Sequence, residues 1–436
     1  MKIVFPFSTL INNYFHMLGT GLHDAATGNS FMNDQMVSRK KQITVSVIIL
    51  LALLTDSITV RSISLLAPFI RTELNISTSQ IGYLMSSLMV GTMLTALPLG
   101  SFMERVNIRL AYGLILAAIG ICFILITLLF SFLTLIVLLF IIGLLRSGII
   151  SLSNRVIAEN FGQRRKGIVA GIIFGAYPAG GFLGAVVLPT LGTAFDSRAG
   201  YFFIGLLAML GGLAAWIFLE KGTTLNPVSS KLRWSSLGSR VFVILTLCYG
   251  LFALSTSTEA FFTLYMVDAI KISAILAGTF LGLISLVGMA GRLFWGFLGD
   301  RYFSQNRCWL LALTSFILAI TLGLLSIINE NSPSWLMVMT MIGFGLSAAS
   351  SWPVMTTLIG DVVGIHAVAT GTSILYFITN IADSSGPILF GKLLEWTGSY
   401  QLTMGSYVSL PIIAMLGFLL MAIYNTKSLK RAGINN

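Results

Sequence analysis

The chain is written in long apolar runs cut by short polar breaks. A run such as "LTLIVLLFIIGLL" is continuous rather than alternating. It therefore predicts a helix and not one of the alternating strands of a membrane barrel. Crossing a bilayer takes about 20 mostly apolar residues in a helix. Segments of that kind are expected at 43–69, 80–101, 109–130, 134–157, 167–191, 199–219, 241–267, 273–298, 308–328, 335–359, 366–391 and 402–424. Residues 1–38 depart from the pattern: they are polar, with "GTGLHDAATGNS", and lack the basic start, apolar run and cleavage site of a secretory signal. Two readings of them stay open, a disordered tail or a start of translation at Met32 or Met36, and the intact mass of natively expressed protein separates them.

Composition turns the pattern into a class. Of 436 residues, 56% are hydrophobic and 9% charged, where a soluble domain has about a quarter charged. Mean hydropathy is +0.92. An all-α integral membrane protein follows, with membrane lipid as a partner. The net charge of +11 belongs in so apolar a chain to the rim of the membrane and not to a nucleic-acid surface. Cys122, Cys248 and Cys308 lie in or beside spans, far apart, and read as buried reduced thiols; His16, His23 and His366 form no cluster, so no metal or other cofactor is expected.

An even number of spans puts both termini on one side. Of the 26 Lys and Arg residues, 18 fall on that side, four (Arg71, Arg198, Lys271, Lys392) fall opposite, and four (Arg61, Arg146, Arg155, Arg292) lie inside spans. Positive charge collects on the cytoplasmic side, so both termini are expected there, in the cell's inner (plasma) membrane.

The polar breaks also repeat. "LPLGSFMERVNIR" ends at Arg109 and "GRLFWGFLGDRYFSQNR" at Arg307; Gly100, Glu104 and Arg105 recur as Gly296, Asp300 and Arg301, each 196 residues on. A second echo sets "VIAENFGQRRKGIVAG" against "TLIGDVVGIHAVATG". The expected organisation is an N-terminal tail 1–40, a six-helix half 41–219, a linker 220–240, a second half 241–424 and a C-terminal tail 425–436, with a pseudo-two-fold along the membrane normal.

The repeated turns resemble the major facilitator superfamily. Its pattern between the second and third spans is Gly-x-x-x-Asp-Arg-x-Gly-Arg-Arg/Lys, and here Gly100, Glu104, Arg105 and Arg109 match while Asn107 and Ile108 depart. The resemblance covers about residues 40–425. It implies twelve helices in two pseudo-symmetric six-helix halves, secondary transport of a small molecule by alternating access, a monomer and no enzyme activity. Gly100, Glu104, Arg105, Arg109, Gly296, Asp300 and Arg301 would form a conformational latch. In it the glycines allow close packing and the acids pair with arginine across the halves; the same charges also set topology. In "GIIFGAYPAGGFLG" the antiporter branch's glycine motif is only partly matched, and Gly171, Gly175, Gly180 and Gly184 read as places where helices approach.

Ionisable residues inside the bilayer face a cavity or a partner. Asp56 and Arg61, five residues apart on a helix, point about 140° apart. Arg61 is expected to receive an anionic group with its planar fork; the competing reading pairs it with Glu259 or Asp383. Burial disfavours a charged carboxylate, so Asp56, Glu259 and Asp383 are candidate proton-coupling sites, with buried ion pairs or polar packing as the alternative. Arg146 resembles the family's intramembrane arginine, although "RSGIISLSN" departs from the usual surroundings. Arg155 and Glu159 read as gate or topology residues, and Arg292 as a snorkelling support for the latch. Trp352, Tyr376 and Asn380 are candidate substrate contacts, and Phe261 a cavity-lining aromatic, each with core packing as the alternative. Tyr265 also fits an interfacial belt.

Four arginines within spans favour a small, organic or pseudo-halide anion as substrate. The first span also resembles the anion-handling and cyanate-permease-like branches, through Arg61 ahead of Pro68. Proton-driven efflux of hydrophobic or cationic compounds is the alternative, with the three acids as contacts; a transport-dead sensor on the same fold is a third reading. No Gly-Lys-Ser/Thr phosphate loop is present, which leaves a gradient rather than ATP as the energy source, a coupling proton among the candidates.

Overall fold

The computed structural model describes residues 39–103, 106–160, 173–219, 240–303, 306–363 and 368–431. All regular structure among them is helical. The first half contains α1 (Arg39–Leu74), α2 (Thr78–Met103), α3 (Ile108–Leu128), α4 (Phe132–Asn160), α5 (Ala176–Ala194) and α6 (Ser197–Phe218). The second half contains α7 (Arg240–Thr256) with α8 (Phe262–Asp268), α9 (Ala274–Tyr302), α10 (Cys308–Leu325), α11 (Ser334–Ser347) with α12 (Trp352–Val363), α13 (Val368–Thr397), and α14 (Tyr400–Tyr407) with α15 (Ser409–Arg431). These are the twelve expected spans. Among the described residues, nine helical stretches are long and apolar enough to cross a membrane on length and composition alone. The N-terminal tail, most of the linker and the expected start of the fifth span at 167 lie outside the described residues. The last helix runs to Arg431, beyond the expected end at 424.

Three spans expected to be continuous are broken, and their sequences say why. The seventh passes through a 3-10 turn, Ser257–Phe261, between α7 and α8. There the hydroxyls of Ser255, Thr256, Ser257 and Thr258 each donate to the carbonyl three residues back. Those bonds compete with the α-helical ladder. In the tenth and twelfth spans, Pro353 and Pro411 lie in the first turn of the second helix, where the missing N–H is tolerated.

Within the first half α2 packs on α4, α3 on α6 and α1 on α5; in the second half α9 packs on α11, α10 on α15 and α7 on α13. Across the seam α2 meets α13 and α5 meets α9, pairs that the pseudo-two-fold exchanges. The repeat extends to backbone geometry: Asn75 and Lys271, 196 residues apart, both take left-handed φ, 49° and 63°, in equivalent turns. Lipid-facing stripes recur at helical spacing, as with Phe202, Leu206, Leu210, Leu213 and Ile217 along α6, all exposed. The three cysteines are buried and free, as expected.

Candidate functional site

The seam between the halves encloses a cavity of ≈ 250 Å³. Its polar lining is Arg61 and Ser64 from α1, Tyr177 from α5, Thr256, Ser257 and Glu259 from the broken seventh span, and Asp383 from α13. Met85, Leu88 and Met89 from α2, Leu281 from α9 and Pro387 from α13 supply apolar wall.

Arg61 and Glu259 join the halves across this cavity, Nη1 to Oε1 at 2.5 Å, with side chains 18% and 25% exposed. The 3-10 turn carries Glu259, and Ser64 adds a hydroxyl bond to its carbonyl at 3.4 Å. Two glycines of α5 make room. A Cβ at Gly180 would come within 2.6 Å of the Leu54 carbonyl, and one at Gly181 within 2.9 Å of Arg61 Nε. Gly180 thus lets α5 lie on α1, and Gly181 leaves space for the guanidinium.

Asp56 faces away from Arg61, as the helical spacing requires. It accepts from Arg146 Nε at 2.8 Å and Nη2 at 3.0 Å, and Arg146 Nη1 also reaches Thr92 Oγ1 at 3.1 Å. The pair is buried within the first half, side chains 7% and 0% exposed. Both candidate acids Asp56 and Glu259 are therefore committed to arginines. Asp383 is not: it lines the cavity, Arg146 acts on it only through space, and no ion-pair or hydrogen-bond partner is found for it among the described residues.

Toward the side opposite the termini the seam is closed by a second pair. Arg71 at the end of α1 makes a bidentate contact with Asp268 at the end of α8, and the Tyr400 hydroxyl donates to the same carboxylate at 2.8 Å. Nearby, the Ser79 backbone N–H donates to Glu395 at 3.1 Å, and Gly82 lies directly against the Pro387 carbonyl. Arg71, Asp268 and Tyr400 were not among the sequence candidates. A signal for them existed: Arg61–Glu259 and Arg71–Asp268 are separated by 198 and 197 residues, close to the repeat of 196. Equivalent positions face each other across a two-fold axis, so the repeat length itself points to the pairs.

The remaining candidates lie elsewhere in the fold. Tyr376, Trp352 and Asn380 are not in the cavity wall. The Asn380 amide donates to the Tyr376 carbonyl at 2.6 Å, while Tyr376 and Trp352 pack edge to face at 6.1 Å. Phe261 is buried and stacked on Phe390 at 4.7 Å, so it is core. Tyr265 is no belt residue: its buried hydroxyl donates to the Leu325 carbonyl at 2.7 Å and ties the seventh span to the ninth.

Of the expected latch, the second-half residues are described. Asp300 pairs at 2.9 Å with Arg307, whose other arm holds Asp361 at 2.5 Å. Among the described residues this network stays within the second half. Arg109 lies over the Trp216 ring at 5.8 Å, and Arg301 over that of its neighbour Tyr302 at 5.8 Å. A Cβ at Gly296 would meet nothing within 4 Å, so no close packing requires this glycine here. Glu104 and Arg105 lie outside the described residues, as do the surroundings of Gly100 and the Glu159 side chain. Asn107, the departure from the family pattern, caps α3 by accepting from the Arg109 N–H at 3.0 Å. Arg155 donates to the Met103 carbonyl at 2.6 Å and the Val106 carbonyl at 2.8 Å, fixing the turn between α2 and α3. Arg292 does not snorkel outward. Its Nε donates to the Ala349 carbonyl at 3.0 Å, in the break between α11 and α12, and it lies within electrostatic reach of Arg61, Tyr177 and Tyr249.

Comparison with known proteins puts this geometry in context. The chain is 20% identical over 362 residues to the hexuronate transporter of Bacillus subtilis (strain 168), covering 78% of this chain and 85% of that protein. It is 21% identical over 293 residues to the sialic acid transporter NanX of Escherichia coli (strain K12), covering 64% and 70%. Among solved structures it resembles a bacterial homologue of the human lysosomal transporter Spinster, crystallised inward-facing and unoccupied, with a TM-score of 0.77 at 16% identity over 89% of this chain and 98% of the other. The nucleoside transporter NupG gives 0.75 at 13% identity over 87% and 99%. Residues 46–387 match the Major Facilitator Superfamily. A match of that length, on this fold, makes the chain a member of the major facilitator superfamily: a multi-pass membrane protein and a secondary transporter, not an enzyme.

Proposed function

We propose that the protein carries a small organic anion bearing a carboxylate across the membrane by alternating access, together with a proton. The observation that carries this reading is the Arg61–Glu259 pair spanning the seam inside the cavity, with unpaired Asp383 in the same wall. A substrate carboxylate matches the guanidinium fork and competes with Glu259 for it. Exchanging Glu259 for substrate loosens a tie between the halves, so binding and rearrangement are coupled through one side chain. Of the three acids, Asp383 is assigned the proton because no arginine holds it. The hexuronate and sialic acid carried by the two relatives make sugar acids the first substrates to try.

With the termini in the cytoplasm, the Arg71–Asp268 contact closes the outer side of the seam. The protein is read as a monomer, since each chain contains both halves, divided at the linker 220–240. The test is uptake by proteoliposomes of labelled sugar acids, smaller carboxylates and cyanate, with and without an inward proton gradient, beside Arg61→Ala. Saturable, gradient-stimulated anion uptake lost in the variant is the expected result. Movement of lipophilic cations and of no anion overturns it and favours proton-driven efflux, for which an unpaired acid in the cavity is the supporting feature.

A further inference from the structure

The seam cavity is poor in groups that can still donate a hydrogen bond. Ser64, Thr256 and Ser257 each carry one hydroxyl proton and place it on a backbone carbonyl, at 3.4, 2.8 and 2.7 Å. Glu259 is held by Arg61, and Asp383 is the proton's site in the reading above. Among the described residues no Asn, Gln, Lys or Trp lines the cavity. Two donors remain, and they lie together. Gly181 of α5 packs against Arg61, and Tyr177 lines the cavity one helical turn before Gly181, on the same helix face. No hydrogen-bond partner is found for the Tyr177 hydroxyl among the described residues. The rest of the wall is apolar: Met85, Leu88 and Met89 share one face of α2, and Leu281 of α9 and Pro387 of α13 join them.

A sugar acid carries a hydroxyl on nearly every carbon, so some of its hydroxyls would meet thioether and leucine side chains here. One hydroxyl pressed into an apolar pocket lowers preference by up to about a hundredfold. We infer that the substrate is a monocarboxylate with an apolar body, its carboxylate toward Arg61 and Tyr177 and its body against Met85 and Met89. The two thioethers suit an aromatic ring: methionine adjusts to irregular shapes, and its sulfur packs favourably at ring edges. The inference rests on the anion-transport reading above and narrows it, placing polyhydroxylated acids behind aryl and branched alkyl acids. Met85 and Met89 thereby become specificity-determining residues, and the single unspent hydroxyl of Tyr177 serves the anionic head and not the body.

The probes are phenylacetate, isovalerate, glucuronate and gluconate, each beside its uncharged amide, with affinity for the purified full-length protein read by ligand-induced thermal shift. The amides control for partition of an apolar body into detergent. The wild type is expected to bind phenylacetate or isovalerate about tenfold or more tightly than either sugar acid, and about tenfold or more tightly than the matching amide. Met89→Gln keeps the side chain's length and adds polar groups, so it should narrow the gap between apolar and sugar acids to below about threefold; Met89→Leu should keep the gap. If Met89→Gln fails to fold, the wild-type ranking decides alone. A wild type that prefers a sugar acid overturns the apolar-body assignment and leaves the anion reading standing. An undiminished gap in a folded Met89→Gln overturns the placement of the body against α2. A wild type that binds no acid better than its amide overturns both readings.

Discussion

Replacing Asp56 by leucine leaves Arg146 charged, buried and without its carboxylate. In the native chain Arg146 spends Nε and Nη2 on Asp56 and Nη1 on Thr92, with the two side chains 7% and 0% exposed. Breaking a buried pair from one side costs about 3–5 kcal/mol, whereas replacing both members by apolar groups of similar size is often neutral. Thr92 is not stranded by the loss of Arg146, because its hydroxyl also donates to the Leu88 carbonyl at 3.0 Å. The expected order of thermal stability in detergent is therefore wild type close to the double variant Asp56→Leu/Arg146→Met, with each single variant well below both. Membrane proteins commonly unfold irreversibly, so the ranking is the observable. The same double variant, reconstituted, should keep its response to a proton gradient, because a carboxylate bound on both oxygens is a poor carrier. A single variant as stable as the wild type refutes the electrostatic account. So does a double variant no better than the worse single one. Loss of the proton response in a stable double variant would return Asp56 to the coupling site.

Three further outcomes follow from the same geometry. Asp383→Asn should abolish stimulation by the proton gradient while leaving substrate exchange at zero gradient intact; retained stimulation excludes Asp383 as the carrier. Arg71→Ala removes a pair whose side chains are 29% and 19% exposed, worth about 1 kcal/mol after allowing for solvent screening. A cysteine introduced by Ser64→Cys should then react roughly fivefold faster with an impermeant thiol reagent applied opposite the termini, and an unchanged rate denies Arg71 a gating role. Gly181→Ala places a methyl 2.9 Å from Arg61 Nε; KM for the anion should rise several-fold, and an unchanged KM means that Arg61 does not hold substrate.

The spans were legible because a bilayer imposes one long apolar requirement on each helix, and the repeat was legible because its charged turns interrupt that requirement at fixed spacing. The breaks at 257–261 and 348–351 were missed: Ser, Thr and Pro in an apolar run are compatible with a straight helix until the packing around them is known. Arg61 and Glu259 stood out as ionisable residues in apolar surroundings, and their pairing was one of two open readings. Arg71 is read from sequence only as a charge on the side opposite the termini, and Asp268 draws no reading, since each lies at a helix end where charge is common. Trp352 and Tyr376 lie outside the lining of this cavity and Phe261 is packed in the core, and the ambiguity has a general source. An aromatic side chain in a span has a packing use on every face, and composition does not say which face meets the seam.

The left-handed turns at Asn75 and Lys271 show how closely the two halves copy one another, and the seam shows where they do not. In a dimer of two identical six-helix chains, each residue on the axis would face its own copy. Arg61 would oppose a second arginine, and Arg71 likewise, stacking like charges at two levels of the membrane. Two halves of different sequence escape that repulsion: each arginine meets an acid that only the other half carries. A symmetric pair of chains would make such an off-axis tie twice, whereas here each tie is made once, so a single substitution removes it completely.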